Sequence, residues 1–166
     1  MEEVRRRQSS NKGLWTGGGG YLDYITDDRI ATYHRDYVGQ AKHLAVRINT
    51  HIQAFINGDE STLHYHIYQL GQGHRSFHFI RTFSFNPDSS MEYDKYFLFL
   101  NVLEMVMCLS FQTLPYSTII KFLPFECVEE VKFHSIHLNI APPLLQGQTV
   151  TAEMKKGLFL RPFSFR

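Results

Sequence analysis

Two histidines at short spacing are the residues of this sequence best suited to chemistry. His64 and His66 flank Tyr65 in a chain that contains 9 histidines. On a β-strand, residues two apart project from the same face, so both imidazoles could bind one metal ion. The alternative is a pair of exposed histidines on the solvent face of an amphipathic strand. We favour this alternative and predict no bound metal and no cofactor.

The residues around this histidine pair resemble the start of a cupin metal motif. Gly58 is followed after five residues by His64-x-His66. The cupin motif also needs a glutamate a few residues later, but Gln69 and Leu70 occupy that stretch. The resemblance therefore does not extend to a complete set of ligands.

Nucleophilic catalysis has no support in local motifs. The sequence has no Gly-x-Ser-x-Gly elbow. Of the two cysteines, Cys108 lies in the most apolar stretch, where a thiol is inert, and Cys127 is adjacent to Glu126, which disfavours a thiolate. The run Gly17 to Gly20 lacks the Lys-Ser/Thr of a phosphate-binding loop. We predict that the protein is not an enzyme, although an active site assembled from distant residues would leave no local trace.

Basic side chains are concentrated at the two ends of the chain. The formal net charge is +1, but residues 1–12 carry +2, residues 155–166 carry +4, and the remainder is acidic. Basic ends favour contact with anionic partners, either lipid headgroups or RNA phosphates. Trp15 could anchor such a contact, or fold back on the domain. The predicted contact residues are Arg5, Arg6, Arg7, Lys12, Trp15, Lys155, Lys156, Arg161 and Arg166.

The chain is predicted to consist of a flexible basic arm, residues 1–20, and a single globular domain, residues 21–166. The arm is polar and ends in four glycines, which lose much conformational entropy when they are ordered. We expect its removal to leave the fold intact. The N-terminus lacks an apolar signal core, and the longest apolar run, residues 97–111, is 15 residues long and interrupted by Asn101 and Glu104. A spanning helix needs roughly 20 residues, so we predict a protein without a membrane span that is cytoplasmic or nuclear and is not secreted.

Alternating hydrophobicity predicts an antiparallel meander in the first half of the domain. Apolar and polar residues alternate over residues 44–57, which indicates a long strand with one buried face. Asn57-Gly58 is a strong hairpin signal, and it places the next strand at about residues 62–70. A third strand is predicted at about residues 76–85, with four phenylalanines on one face, at positions 77, 79, 83 and 85.

Capping patterns predict the helices, and proline breaks delimit the last strands. Asp27 or Asp28 could cap a short helix that runs toward Gly39. Ser89 and Glu92 form a capping-box pattern before an apolar stretch, which favours a buried helix to about residue 110 over a pair of buried strands. An edge strand is predicted at residues 116–123, another strand at 131–140, and a last hairpin at 148–154 and 158–165. The predicted fold class is α+β: a meander plus a C-terminal hairpin, with one buried helix packed on the sheet.

The layout of residues 1–20 and the strand pattern after Leu44 resembles that of rhabdovirus matrix proteins. Like those proteins, the chain combines a basic arm, a compact α+β domain and no catalytic motif. Pro142-Pro143-Leu144-Leu145 does not match the Pro-Pro-x-Tyr motif, so no site residue is transferred from that family. The resemblance implies a viral structural protein that self-associates as a homo-oligomer. It also implies a peripheral position at an anionic membrane surface or in the virion, and a bridging contact to nucleoprotein.

A second hypothesis stays open beside the matrix-like one. A small accessory factor that binds a host protein or RNA, such as a silencing suppressor, would have the same composition and the same basic ends. The two hypotheses differ in self-association, which only the first requires. Neither needs a small-molecule substrate.

Overall fold

The computed structural model describes residues 15–86, 91–119, 138–140 and 142–143. The strands are β1 (Gly18–Asp27), β2 (Ile30–Ala41) and β3 (Arg75–Phe85). The helices are α1 (Leu44–Ile56), α2 (Leu63–Gln69), α3 (Tyr93–Ser110) and the short α4 (Tyr116–Ile119). The edge strand predicted at 116–123 is wrong over residues 116–119, which form α4, and residues 138–140 of the strand predicted at 131–140 are not in a strand. The rest of these two strands and the predicted C-terminal hairpin lie outside the described residues.

The three strands form one antiparallel sheet in the order β2-β1-β3, which confirms the predicted α+β class. β1 and β2 are joined by a tight turn. α1 and α2 then connect β2 to β3, which pairs with the opposite edge of β1. Helices cover both faces of the sheet, so the architecture has three layers where the sequence predicted a single buried helix. The helix predicted after Asp27 or Asp28 is wrong, because these residues end β1 and begin the turn into β2.

The central strand β1 divides the core into two clusters by simple alternation. Tyr21 points toward α1 and packs with Leu44 and Ile48, whereas Leu22 points to the opposite face and packs with Val38 and Met105. A strand that is covered on both faces is buried at almost every position, as β1 is. Both helical layers therefore depend on the register of this one strand.

β3 matches the predicted third strand, but its four phenylalanines do not share one face. The pairing shifts between Gly20 and Tyr21 of β1, because Gly20 pairs with Phe83 and Tyr21 with Arg81. Such a bulge inserts one extra residue and reverses the side from which the following side chains project. Phe77 accordingly packs in the cluster beside α1, and Phe85 stacks on Tyr96 of α3.

The segment 44–57 is a helix, so the predicted long strand is wrong. Leu44, Ile48, Ile52 and Phe55 are buried at helical spacing, whereas Val46 and Ile56, which the strand pattern needed inside, are 66% and 49% exposed. Burial of one helical stripe against the sheet therefore determines the structure of this segment, although its sequence also alternates. The Asn57-Gly58 pair ends the helix and does not form a hairpin, since the Asn57 amide still donates to the Gln53 carbonyl.

The second predicted strand, residues 62–70, is the helix α2. On a helix, residues two apart point in different directions. His64 is therefore buried, while His66 is partly exposed and hydrogen-bonds Glu60. The predicted pair of histidines on one solvent face does not exist.

The structure moves the predicted arm boundary, because Trp15 to Gly20 belong to the domain. Trp15 packs against the cluster beside α1, and its carbonyl accepts a hydrogen bond from the Ala45 amide at the start of that helix. Gly18 and Gly20 lie in β1, where a Cβ would overlap the Tyr96 hydroxyl and the Phe83 ring, respectively. Their lack of a side chain serves close packing, not flexibility. Residues 1–14 lie outside the described residues.

The helix predicted from the Ser89 and Glu92 pattern is confirmed as α3, and it covers the second face of the sheet. It packs an aliphatic cluster that includes Leu22, Val38 and Cys108. Asn139 hydrogen-bonds both the amide and the carbonyl of Val38 on the outer strand β2.

No helix in the described part of the chain is long and apolar enough to cross a membrane.

Candidate functional site

A cluster of tyrosines and histidines is buried between the sheet and the α1–α2 layer. Tyr21 comes from β1 and Tyr37 from β2, His51 from α1, and His64 and Tyr65 from α2. His51 is fully buried, and His64 and Tyr65 are 3% and 5% exposed. The Tyr37 ring stacks on the imidazole of His64 at 4.3 Å between ring centroids. We call these five side chains the tyrosine–histidine cluster.

Hydrogen bonds connect the cluster through His51, which uses both ring nitrogens. Its Nε2 lies 2.5 Å from the Tyr21 hydroxyl, and its Nδ1 lies 2.8 Å from the Tyr65 hydroxyl and 3.2 Å from Nε2 of His64. The other nitrogen of His64, Nδ1, is 3.1 Å from the Thr62 hydroxyl. The network therefore joins α1, α2 and the central strand through polar side chains inside the protein.

One proton arrangement satisfies this network with both histidines neutral. Arg47 Nε donates to the Tyr21 oxygen at 3.3 Å, so we assign the Tyr21 proton to the bond with His51 Nε2. His51 then carries its proton on Nδ1 and shares this N–H between the Tyr65 oxygen and Nε2 of His64. His64 carries its proton on Nδ1 and donates to Thr62. Each neutral ring has one donor and one acceptor, and each is matched.

Burial and one nearby cation keep the two histidines neutral. Burial, together with the Arg47 charge and His64, lowers the pKa of His51 to about 2. Burial and Arg47 together lower the pKa of His64 to about 3. The charged form of each ring is disfavoured because it would lose hydration next to a like charge.

Asp23 lies beside this cluster and has no matching partner. It is fully buried in β1, between Tyr37 of β2 and Phe79 of β3 in the strand register. Neither carboxylate oxygen has a hydrogen-bond partner among the described residues. Burial raises the pKa of Asp23 well above its usual range, and Asp36 raises it further, so the group is held in its neutral form.

The chemistry of the cluster is that of a neutral polar core. A general base must be reachable by its substrate, and His51 is fully enclosed. The described residues contain no group of three or more histidine, cysteine, aspartate or glutamate side chains that could hold a metal ion. Cys108 is also enclosed, and burial raises its pKa to about 12, in keeping with the predicted inert thiol.

A second feature of note is an exposed apolar stripe along α3. Leu98, Phe99, Val102 and Val106 recur at helical spacing and are 60%, 51%, 42% and 47% exposed among the described residues. They lie on the side of the helix opposite to the buried residues Leu100 and Cys108. We call these four residues the α3 stripe. The stripe could have been predicted from the sequence, because a helix that is apolar on all sides has no polar face to turn to solvent.

Of the sequence-predicted contact residues, the structure places only Trp15, which is partly buried against the core cluster beside α1. The others, Arg5, Arg6, Arg7, Lys12, Lys155, Lys156, Arg161 and Arg166, lie outside the described residues. Sequence reasoning considered His64 as a surface residue and did not select Tyr21, Tyr37 or His51. These side chains form a cluster only in the folded chain, since Tyr21 and His51 are separated by 30 positions in the sequence.

Comparison with known proteins identifies no relative of this chain. No protein-family model matches it, and neither a curated protein nor a solved structure is significantly similar to it.

Proposed function

We propose that this protein is a non-catalytic, matrix-like interaction protein that self-associates through the α3 stripe. Its basic residues then attach the assembly to an anionic membrane surface and to nucleoprotein. The α3 stripe is the observation that carries the proposal, since large apolar side chains that share one exposed helix face mark an interaction surface.

A second copy of the chain is the partner that best fits the stripe. No charged side chain interrupts its exposed face from Leu98 to Val106, because Glu104 is buried. A complementary partner must be equally apolar, and the same stripe on another copy meets this requirement through a two-fold axis. Charged residues lie at one end of the helix, where Lys95 pairs with Glu92. When the α3 helices of the two copies are antiparallel, these charged ends lie at opposite ends of the contact.

The size of the stripe predicts a weak association. Leu98 to Val106 spans about 12 Å of helix at 1.5 Å per residue. This is small compared with a standard interface, so the assembly should depend on protein concentration. Many weak contacts within an array would strengthen the attachment of each basic end to an anionic surface.

The test of self-association is light scattering after size-exclusion chromatography over a range of concentrations. Val102→Asp should shift the protein to monomer without lowering its melting temperature. Val46→Asp is the matched control, since Val46 is 66% exposed on α1, away from the stripe. A wild-type protein that is monomeric at every concentration would favour the accessory-factor alternative. A Val102→Asp protein that is monomeric but clearly destabilised would show that another part of the same chain covers the stripe.

The anionic contact is tested separately by cosedimentation with anionic and neutral liposomes, and by filter binding to RNA. Reversal of Arg5, Arg6 and Arg7 to glutamate should weaken pelleting with anionic vesicles and leave neutral vesicles unaffected. Equal pelleting of wild type with both vesicle types would remove the electrostatic part of the proposal. Binding to RNA alone, with a steep salt dependence, would favour the accessory-factor alternative.

A further inference from the structure

In the tyrosine–histidine cluster, hydrogen bonds between buried titratable groups join α2 to α1, through His64, Tyr65 and His51, and join α1 to the sheet, through His51 and Tyr21. The Tyr37 ring of β2 also stacks on His64 of α2. We propose that the α1–α2 layer is an acid-operated cover: protonation of His51 and His64 releases it and exposes the aromatic face of the sheet. The released surface would contain Tyr21, Phe77 and Phe79, which now pack beneath the two helices.

The hydrogen-bond geometry explains why an added proton breaks the cluster. A second proton on His51 would be placed on Nε2, which already accepts the Tyr21 hydroxyl proton at 2.5 Å. A second proton on His64 would be placed on Nε2, facing the Nδ1–H of His51 at 3.2 Å. At His64 two donors then meet, and the bond is lost. At His51 the Tyr21 oxygen, which already accepts from Arg47, would have to accept a second N–H and turn its own proton away from its acceptor. Both rings are enclosed, so water cannot replace the lost partner without separation of the layers.

The charged and titratable groups around the rings oppose protonation. α1 supplies the Arg47 cation, β2 supplies Tyr37, and α2 supplies Tyr65. The neighbouring strand β3 contributes Phe79, which does not titrate. β1 supplies Tyr21 and the carboxyl group of Asp23, which is itself held neutral. Asp59 acts on Tyr65 and Glu104 acts on Tyr37, but no carboxylate in the described part of the chain hydrogen-bonds either ring to stabilise an imidazolium ion in the closed form.

The direction of the pH effect follows from which form binds more protons. Below pH 6.5 the opened layer exposes both histidines and takes up protons that the closed form cannot hold. Closure is therefore fully favoured above that pH and is lost as the pH falls toward the lowered pKa values of about 3 and 2. Asp23 acts in the opposite direction, because its raised pKa makes the closed form hold a proton that the opened form releases. Asp36, whose pKa is also raised by burial, acts in the same direction as Asp23.

The histidines and Asp23 change the opening equilibrium in opposite directions, so their contributions are measured separately by substituting Asp23 first. Each proton taken up on opening changes the opening constant about 10-fold per pH unit. Between pH 6 and 5, Asp23→Asn should make the increase of the opening constant steeper than in wild type, because it removes the proton that Asp23 releases on opening. Adding His64→Gln to Asp23→Asn should reduce the pH dependence of the opening constant by about one factor of 10 per pH unit. Adding His51→Gln as well should reduce it by about another factor of 10 per pH unit. His66→Gln is the matched control, because His66 lies on α2 outside the cluster.

The measurement uses the full-length protein and two readouts. Denaturant titrations at each pH give the number of linked protons, and hydrogen exchange gives the place of opening. The emission of Trp15, the single tryptophan, which packs against the α1 cluster, should shift to the red as the layer opens. Amides of α1 and α2 should lose protection at pH 5 while those of α3 keep theirs.

Two outcomes would overturn the proposal. One is a pH slope that is the same in Asp23→Asn with and without the two histidine substitutions. The other is simultaneous loss of protection in α1, α2 and α3, which would mean global acid unfolding and no separate cover. If the double histidine variant does not fold, the single His64→Gln variant and its predicted loss of one factor of 10 decide the question.

Discussion

The two faces of the sheet are held by different physical means. The α3 face is closed by an aliphatic cluster of Leu22, Val38, Met105 and other apolar side chains. The α1–α2 face also has apolar residues such as Leu44, but it encloses the tyrosine–histidine cluster and the unmatched Asp23. Burial of apolar surface does not depend on protonation, whereas a network of neutral histidines does. One sheet thus combines a face held mainly by aliphatic packing with a face held in part by a network that depends on protonation.

The largest expected effect is that of a charge placed in the α1–α2 face. Ile48 is 5% exposed in the helical stripe that packs on Tyr21. Ile48→Asp should prevent folding of the domain, because an unpaired carboxylate would be buried. Circular dichroism and thermal melts measure this. The same substitution at Val46, two residues away and exposed, should change the melting temperature little, and a normal melt for Ile48→Asp would contradict the packing of α1.

A cavity in the α3 face should give the next largest effect. Leu100 is fully buried on α3, so Leu100→Ala should lower the free energy of unfolding by about 2–5 kcal/mol. The loss should be the same at pH 7 and pH 5.5, since the contacts that the substitution removes are apolar. A loss that differs between the two pH values by more than the error would weaken the contrast between the faces.

Removal of one hydroxyl from the tyrosine–histidine cluster should have a moderate effect. Tyr21→Phe keeps the ring but removes the acceptor of Arg47 and the donor to His51, at a cost of about 1–3 kcal/mol in the free energy of unfolding. The matched control is Tyr24→Phe, on the same strand but on the other face. Denaturant titration should show a larger loss for Tyr21→Phe, and equal losses would remove the energetic role of the cluster.

Deletion of residues 1–14 should have the smallest effect. These residues precede Trp15, whose ring and carbonyl already contact the α1 layer. We expect the melting temperature to stay within the error, while a deletion that also removes Trp15 to Gly20 should unfold the domain by removing part of the central strand. A clear loss of stability in the shorter deletion would mean that residues 1–14 also pack on the domain.

Some features of the fold could be predicted from patterns of neighbouring residues alone. The length of the apolar stretch after Glu92 favours a helix over two strands, and α3 forms there. The alternating phenylalanines after Arg75 form a strand, and the buried, inert Cys108 follows from its apolar neighbours. These predictions hold because residues close in the chain carry the whole signal.

Tertiary contacts decided the rest, and they did so where two local patterns competed. Residues 44–56 carry both an alternation through Val46 and a helical stripe through Ile48 and Ile52; the stripe wins because the sheet offers a surface that it can cover. Gly18 and Gly20 read locally as a linker, yet Tyr96 and Phe83, more than 60 residues away in sequence, require their small size in β1. The tyrosine–histidine cluster likewise has no local signature. Its hydrogen bonds join side chains from separate elements, and only the packing of α1 and α2 on the sheet brings them within reach.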